Sequence, residues 1–200
     1  MIRVCLDPGH GGDDRGTHTH GLIESQYSLL LAKTAESVLS VLPGIEAYIT
    51  RCNEFTGLTL AERGDISKGA DLVISLHVNA DESGEQHGAI PFILHGEDGR
   101  SVSRAMMRTL PEVMRPDLRR SPLDPILAVN EGWTRRAYNV LKPHDHCTAA
   151  LFEVGFASHP GDRERLLSKW GRSYLVAAIV AGVCEFSRIR NEVSRETVNG

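Results

Sequence analysis

Two histidines and two glutamates, His10, Glu24, His77 and Glu153, occupy positions from which they could do chemistry together. His10 sits in Asp7-Pro8-Gly9-His10-Gly11-Gly12, directly after the apolar run Ile2-Arg3-Val4-Cys5-Leu6. A run of that length reads as a buried strand, and the Pro and three Gly end it in a tight loop. Large groups can approach backbone that lacks Cβ atoms, so an imidazole displayed there can ligate a metal. Taken alone, such a histidine is more often a turn residue bonded to backbone. His77 comes at the end of Leu72-Val73-Ile74-Ser75-Leu76-His77-Val78-Asn79-Ala80, where a half-buried His bonded to a carbonyl is the commoner outcome. Glu153 lies in Ala149-Ala150-Leu151-Phe152-Glu153-Val154-Gly155-Phe156. An ionised carboxylate in so apolar a run is costly unless it is paired, with an arginine for instance, or bonded to water on a metal. Glu24 opens a helical pattern and, at about 100° per residue, falls between Leu31 and Ala35 on the buried arc. The other reading of Glu24 is a partly solvated carboxylate that complements the helix dipole.

Convergence weakens the separate readings. In a parallel sheet, ligands bind outside the carboxyl ends of the strands, and all four residues stand at strand ends or a helix start facing that rim. Two His and two Glu there suit a catalytic zinc, held by three ligands with one open position while the remaining carboxylate serves as general base.

The elements that must position these residues follow from periodicity. Leu22 to Leu42 carries apolar residues at helical spacing and stops at Pro43-Gly44. Ile45 to Thr50 alternates as a strand, Leu58 to Lys68 reads as a helix closed by Gly69, and Asp71 to Val78 is a strand. Further strands are expected at Gly88 to His95 and Thr148 to Val154, and helices at Arg100 to Val113, Asp162 to Trp170 and Ser173 to Arg188. The proline-rich stretch Pro111 to Asp145 is the least legible, with a short helix near Trp133 to Val140. This alternation predicts an α/β fold: a mostly parallel twisted central sheet of about six strands with helices on both faces. One domain over residues 1–188 is expected, followed by a polar, loose tail at residues 189–200.

Composition narrows the function classes. At 200 residues and 41% hydrophobic content the chain suits one sizeable core. A net charge of -4 with no Lys/Arg cluster argues against a nucleic-acid partner. Cys5, Cys52, Cys147 and Cys184 never fall in Cys-x-x-Cys spacing, so neither a zinc knuckle nor a redox pair is indicated. Cys5 and Cys184 lie in apolar segments and read as core residues. No run approaches the roughly 18 apolar residues of a membrane-spanning helix, and no charged n-region and apolar h-region precede the first strand, so no signal peptide is visible. The spacing of the pairs His18/His20 and His144/His146 could suggest a second metal, but surface His pairs usually carry none. Oligomeric state is not legible.

Asp7-Pro8-Gly9-His10-Gly11-Gly12, Gly21-x-x-Glu24, Thr50-Arg51, Leu60-x-x-Arg63, Ile74-Ser75-Leu76-His77-Val78-Asn79-Ala80 and Phe152-Glu153-Val154-Gly155-Phe156-x-Ser158 come in an order and spacing that resembles the zinc-dependent N-acetylmuramoyl-L-alanine amidases of the cell-separation and phage endolysin type. The resemblance runs from about Arg3 to about Phe186. It implies one zinc ion on His10, Glu24 and His77, with Glu153 as the catalytic carboxylate, and a peptidoglycan substrate cut between N-acetylmuramic acid and L-alanine. Other acyl substrates, as for a zinc peptidase or deacetylase, and an inactive wall-binding module are the alternatives. The chain departs from the pattern at Val78, where Ala is common, and at His159, where Asn often follows Ser158. Among further candidates, Asp7 is placed to orient the His10 imidazole, and Asn79 and Arg63 to contact substrate, although a helix salt bridge is the commoner role for Arg63. The glycines after His10 are expected to leave room for a bulky glycopeptide. Action at the cell wall or periplasm is implied, reached through a membrane lesion as an endolysin or as a domain of a larger exported protein.

Overall fold

The computed structural model describes residues 1–94, 96–116, 127–128 and 135–199. The opening apolar run forms β1 (Ile2–Pro8), and the pleat sends Ile2, Val4 and Leu6 to one face of the sheet and Cys5 to the other. After it come a small antiparallel pair, β2 (His18–Thr19) and β3 (Leu22–Ile23), then helix α1 (Glu24–Leu39) and strand β4 (Ile45–Ile49). Helix α2 (Leu60–Ser67) starts at a capping box, in which Thr59 and Glu62 satisfy each other's backbone N–H. It is followed by β5 (Leu72–Asn79), β6 (Ile90–Ile93), α3 (Glu97–Thr109), β7 (Leu127–Ala128), α4 (Arg135–Leu141), β8 (Thr148–Phe156), α5 (Pro160–Leu167) and α6 (Lys169–Asn199).

The sheet order is β4-β1-β5-β8-β6-β7. The first four strands are mutually parallel, β6 runs antiparallel to β8, and β7 parallel to β6. On one face, Leu31 and Leu39 of α1, Met106 of α3 and Ile179 of α6 pack on Val4, Leu6, Ile74 and Phe152. On the other, Ala137 and Leu141 of α4 cover Cys5, Val73 and Leu151. Each large apolar side chain so buried contributes about 1.5–3 kcal/mol, and the sheet is thereby a stiff platform for the loops at its carboxyl rim. The expected six strands with helices on both faces are present.

Three local expectations change. The helical spacing takes in Leu22 and Ile23, but both belong to β3, so α1 begins at Glu24 and the carboxylate stands in its first turn. The residues expected as a loose tail continue α6 to Asn199, because no Gly or Pro interrupts residues 183–199 and Arg188 bridges Glu185 and Glu192 one turn to either side. Cys184 is exposed rather than core, since on α6 it lies one residue, about 100°, past the buried Val183. His95, and Trp133 and Thr134 of the expected short helix, lie outside the described residues. No described helix is long and apolar enough to cross a membrane.

Candidate metal centre

Register delivers the first pair of side chains. β5 and β8 pair with His77 opposite Glu153, and the period of two puts both on the face that carries Ser75 and Leu151. β1 pairs with β5 as far as Pro8 opposite Leu76, and Gly9 N donates to Leu76 O at 2.9 Å, so the glycine loop leaves β1 at the level of His77. Glu24 arrives from the other side as the first residue of α1 and is 3% exposed. Its Oε2 accepts from Thr17 N at 2.7 Å and its Oε1 from Val78 N at 2.9 Å, which pins the carboxylate between the β2 segment and the end of β5.

Both imidazoles converge on that one carboxylate oxygen. His10 Nε2 and His77 Nδ1 each lie 3.1 Å from Glu24 Oε1, with the rings edge to face at 5.1 Å between centroids. Burial alone would lower the His10 pKa, but hydrogen bonding to Glu24 and Asp14 outweighs it and brings the value up to about 9. Burial would likewise raise Glu24, yet hydrogen bonds from His10 and His77 hold it well below the usual carboxylate range. A buried carboxylate is stabilised by a positive charge beside it. Two imidazole nitrogens and one carboxylate oxygen, mutually within 4.8 Å, can supply it by holding a metal ion, and the donor set suits zinc. Among the described residues no other group of three such side chains converges in this way. A Cβ at Gly9 would collide with the His77 ring, and one at Gly16 with both Glu24 Oε2 and the His10 ring. Those glycines let backbone close around the ligand atoms.

Glu153 stands across the pair from His77. Its Oε2 is buried without a hydrogen-bond partner, and burial raises its pKa to about 7, the nearby Glu24 adding to the rise while His77 and His10 oppose it. An unpartnered carboxyl oxygen tuned near neutrality beside a cation site has the properties of a proton acceptor and donor.

The supporting residues are partly reassigned. Asp7 does not face His10. It lies fully buried on the α4 side of the sheet, its Oδ1 accepting from Thr50 Oγ1 at 2.6 Å and Arg63 Nη1 at 2.7 Å, its Oδ2 from Ser75 Oγ at 2.8 Å. Asp14 stands in the place expected of Asp7, with Oδ2 2.7 Å from His10 Nδ1 and Oδ1 accepting from Gly16 N. The strand pleat turns Asp7 away, while the chain reversal closed by Gly11 N donating to Asp14 O returns Asp14 to the ring. The Asp13-Asp14 pair is visible in sequence, but nothing in its spacing points at His10. Of its two expected roles Arg63 takes the ion pair, not the substrate contact: it is buried, and besides Asp7 it donates to Pro8 O at 2.8 Å and His10 O at 2.7 Å. Asn79 is half-buried at the rim, its Oδ1 accepting from Ala80 N. The expectation that Gly11 and Gly12 leave space for substrate gives way to packing, since a Cβ at Gly11 would strike Thr56 O and the Arg51 side chain and one at Gly12 the Gly57 backbone. His144 is buried, its Nδ1 2.7 Å from Ser67 Oγ, and His146 Nε2 lies 3.1 Å from Ser67 O.

Asp14→Ala is expected to weaken zinc binding by about 10–100-fold, because an imidazole that loses its carboxylate partner loses orientation and basicity. The Asp14 side chain is 67% exposed, so the melting temperature should hardly move. Competition against a chromophoric chelator measures the affinity, and an unchanged dissociation constant would exclude an orienting role.

The family described as N-acetylmuramoyl-L-alanine amidase matches residues 4–185. Among curated relatives, the probable cell wall amidase LytH of Staphylococcus aureus is 31% identical over 183 residues, and that of Staphylococcus saprophyticus 27% over 181, each covering 90% of this chain. The chain spans about half the length of these relatives, 56% of each. The fold is similar to that of the catalytic domain of CwlV, an N-acetylmuramoyl-L-alanine amidase from Bacillus (Paenibacillus) polymyxa, with TM-score 0.76, 22% identity and coverage of 94% of this chain and 99% of that one. An N-acetylmuramoyl-L-alanine amidase from Clostridium difficile 630 gives TM-score 0.76 at 24% identity, with coverage of 94% and 97%.

Proposed function

Because the chain belongs to the N-acetylmuramoyl-L-alanine amidase family, we propose that it is a zinc-dependent peptidoglycan hydrolase cutting the amide between the lactyl group of N-acetylmuramic acid and L-alanine. The observation that carries this reading is the sharing of one buried Glu24 oxygen by His10 and His77, with the unpartnered Glu153 Oε2 across the strand pair. His10, Glu24 and His77 would hold the zinc, which when bound supplies a Lewis acid for the scissile carbonyl and acidifies a water. Glu153 then acts as the proton carrier: its carboxylate takes a proton from the attacking water and returns it to the alanine nitrogen as the amide breaks. A carboxyl whose value burial brings to about 7 can do both near neutral pH. Asp14 keeps the His10 ring in register, and Asn79, at the same rim, is the described candidate for substrate contact. A cell wall substrate sets the place of action at the wall or periplasm, in keeping with relatives named as probable cell wall amidases.

The test is a digest of purified peptidoglycan with metal content measured on the same sample. The expected products are stem peptides with a new alanine amino terminus and glycan without new reducing ends. Chelation should abolish release and added zinc restore it. Cleavage within the stem peptide, loss of acetyl groups alone, or wall binding with no new amine would each replace this assignment.

A further inference from the structure

The motif Thr50-Arg51 has no part in the chemistry proposed above, yet Arg51 is 2% exposed and makes more hydrogen bonds around the site than any ligand does. Its Nε donates to Pro8 O at 3.1 Å, its Nη1 to Asn53 O at 3.2 Å, and its Nη2 to Gly9 O at 2.7 Å and Ser25 O at 2.8 Å, with Ser28 Oγ at 3.3 Å. None of these acceptors is a carboxylate. A cation buried among carbonyls without a bonded counter-ion is a costly arrangement, and burial, with Arg63 nearby, lowers its pKa to about 10. What the cost secures is visible in the acceptors. Pro8 and Gly9 immediately precede His10, and Ser25 immediately follows Glu24.

The loop needs that restraint. His10 has φ 59, a left-handed conformation that few residues with a side chain adopt. Arg63 holds the His10 carbonyl and shares that of Pro8 with Arg51, which also holds Gly9 O. Ser28 Oγ, donating to Gly9 O at 3.0 Å, closes the same small ring from α1. We propose that Arg51 is a positioning residue for the metal centre: by holding Gly9 O and Ser25 O on a single nitrogen, its guanidinium sets the spacing between His10 and Glu24. This rests on the reading of His10, Glu24 and His77 as a metal site. A lysine cannot replace it, having three donors at one point rather than a planar fork that reaches three segments.

The test uses the whole chain as wild type, Arg51→Lys and Ser28→Ala, reading zinc affinity by chelator competition, the visible spectrum of the cobalt-substituted protein, and kcat and KM separately. Arg51→Lys should weaken zinc binding by about 10–100-fold, shift the cobalt bands, and lower kcat with KM little changed. Ser28→Ala should move the same readings in the same direction by less, and it carries the test if Arg51→Lys does not fold. Metal uptake by the wild type together with wild-type affinity and cobalt bands in the folded variants overturns the positioning role alone. A wild type that takes up neither zinc nor cobalt overturns the metal reading and this inference with it.

Discussion

Glu153→Gln is expected to lower peptidoglycan turnover by about 10²–10⁴-fold, the usual contribution of a positioned proton carrier, while zinc content stays at the wild-type level. The substitution preserves shape and removes only the capacity to take and return a proton. Because the proposed ligand group of His10, Glu24 and His77 does not include Glu153, the metal should be unaffected. The loss should appear in kcat and in kcat/KM alike, since the interaction is made in the transition state. The pH profile carries an independent check. Burial raises Glu153 to about 7, with His77 and His10 opposing the rise, and a bound cation, favouring the charged carboxylate, would draw it lower. Activity should therefore rise with pH through a limb at or below about 7, because the protonated carboxyl cannot accept the water's proton. That limb should be absent from the residual activity of the variant. Turnover within tenfold of wild type, or an unaltered acid limb, would remove Glu153 from the chemistry.

The second large effect is on stability. Asp7→Asn should destabilise the fold by about 3–5 kcal/mol, the cost of leaving one partner of a buried ion pair uncompensated, or roughly 6–20 °C in melting temperature for a chain of this size. Asp7 accepts from Thr50, Arg63 and Ser75, and an amide nitrogen there would face donors. Arg63, buried close to Arg51, would then be a cation without its anion. Burial by itself would raise the Asp7 pKa, but the Arg63 charge and the Thr50 hydrogen bond outweigh it and lower the value. A carboxylate depressed in the folded state stabilises fully above its unfolded value of about 3.9, and that stability is lost as pH falls through the lowered folded value. Wild type should lose stability across this acid window, and Asp7→Asn, already lacking the charge, should lose less there. His144 Nε2 lies 4.0 Å from Asp7 Oδ2, and burial lowers its pKa while the Asp7 charge opposes the fall, so it is a weaker counter-ion than Arg63. A double-mutant cycle with Arg63→Met isolates the pair, since removing both charges should cost less than the sum of the single changes. Equal melting curves for wild type and Asp7→Asn at pH 7 would contradict the buried pair.

How much of the molecule was legible depended on the range of the interaction that decides each feature. The apolar runs at Ile2–Leu6, Leu72–Leu76 and Thr148–Val154, with turn residues after them, marked the strands, because periodicity and backbone freedom act over a few residues. The same local rules brought His10, His77 and Glu153 to one rim, since parallel strands share a carboxyl end. Glu24 was recognisable as a carboxylate on a buried arc. The helix begins two residues later than the helical spacing suggests, because the β2–β3 pair that holds Leu22 and Ile23 is made by strand pairing and not by helical spacing. The end of α6 was hidden for a similar reason. Polar composition alone resembles a loose tail, whereas helix extension is cooperative along a chain already nucleated by packing.

The sequence by itself determined the α/β alternation and singled out four candidate residues for one rim of the sheet, because hydrophobic period and donor type are properties of residues. Tertiary structure decided which acid orients His10, whether Arg63 faces substrate or core, and what Arg51 holds. Asp7 and Asp14 are both near His10 in sequence, and only the pleat of β1 and the left-handed turn at His10 turn one away and bring the other back. Arg51 and Arg63 meet acceptors 42 and 56 residues distant. Contacts at that separation exist only once the sheet has formed, and in its water-poor interior a buried charge must be satisfied by whatever dipoles and counter-ions the packing places beside it.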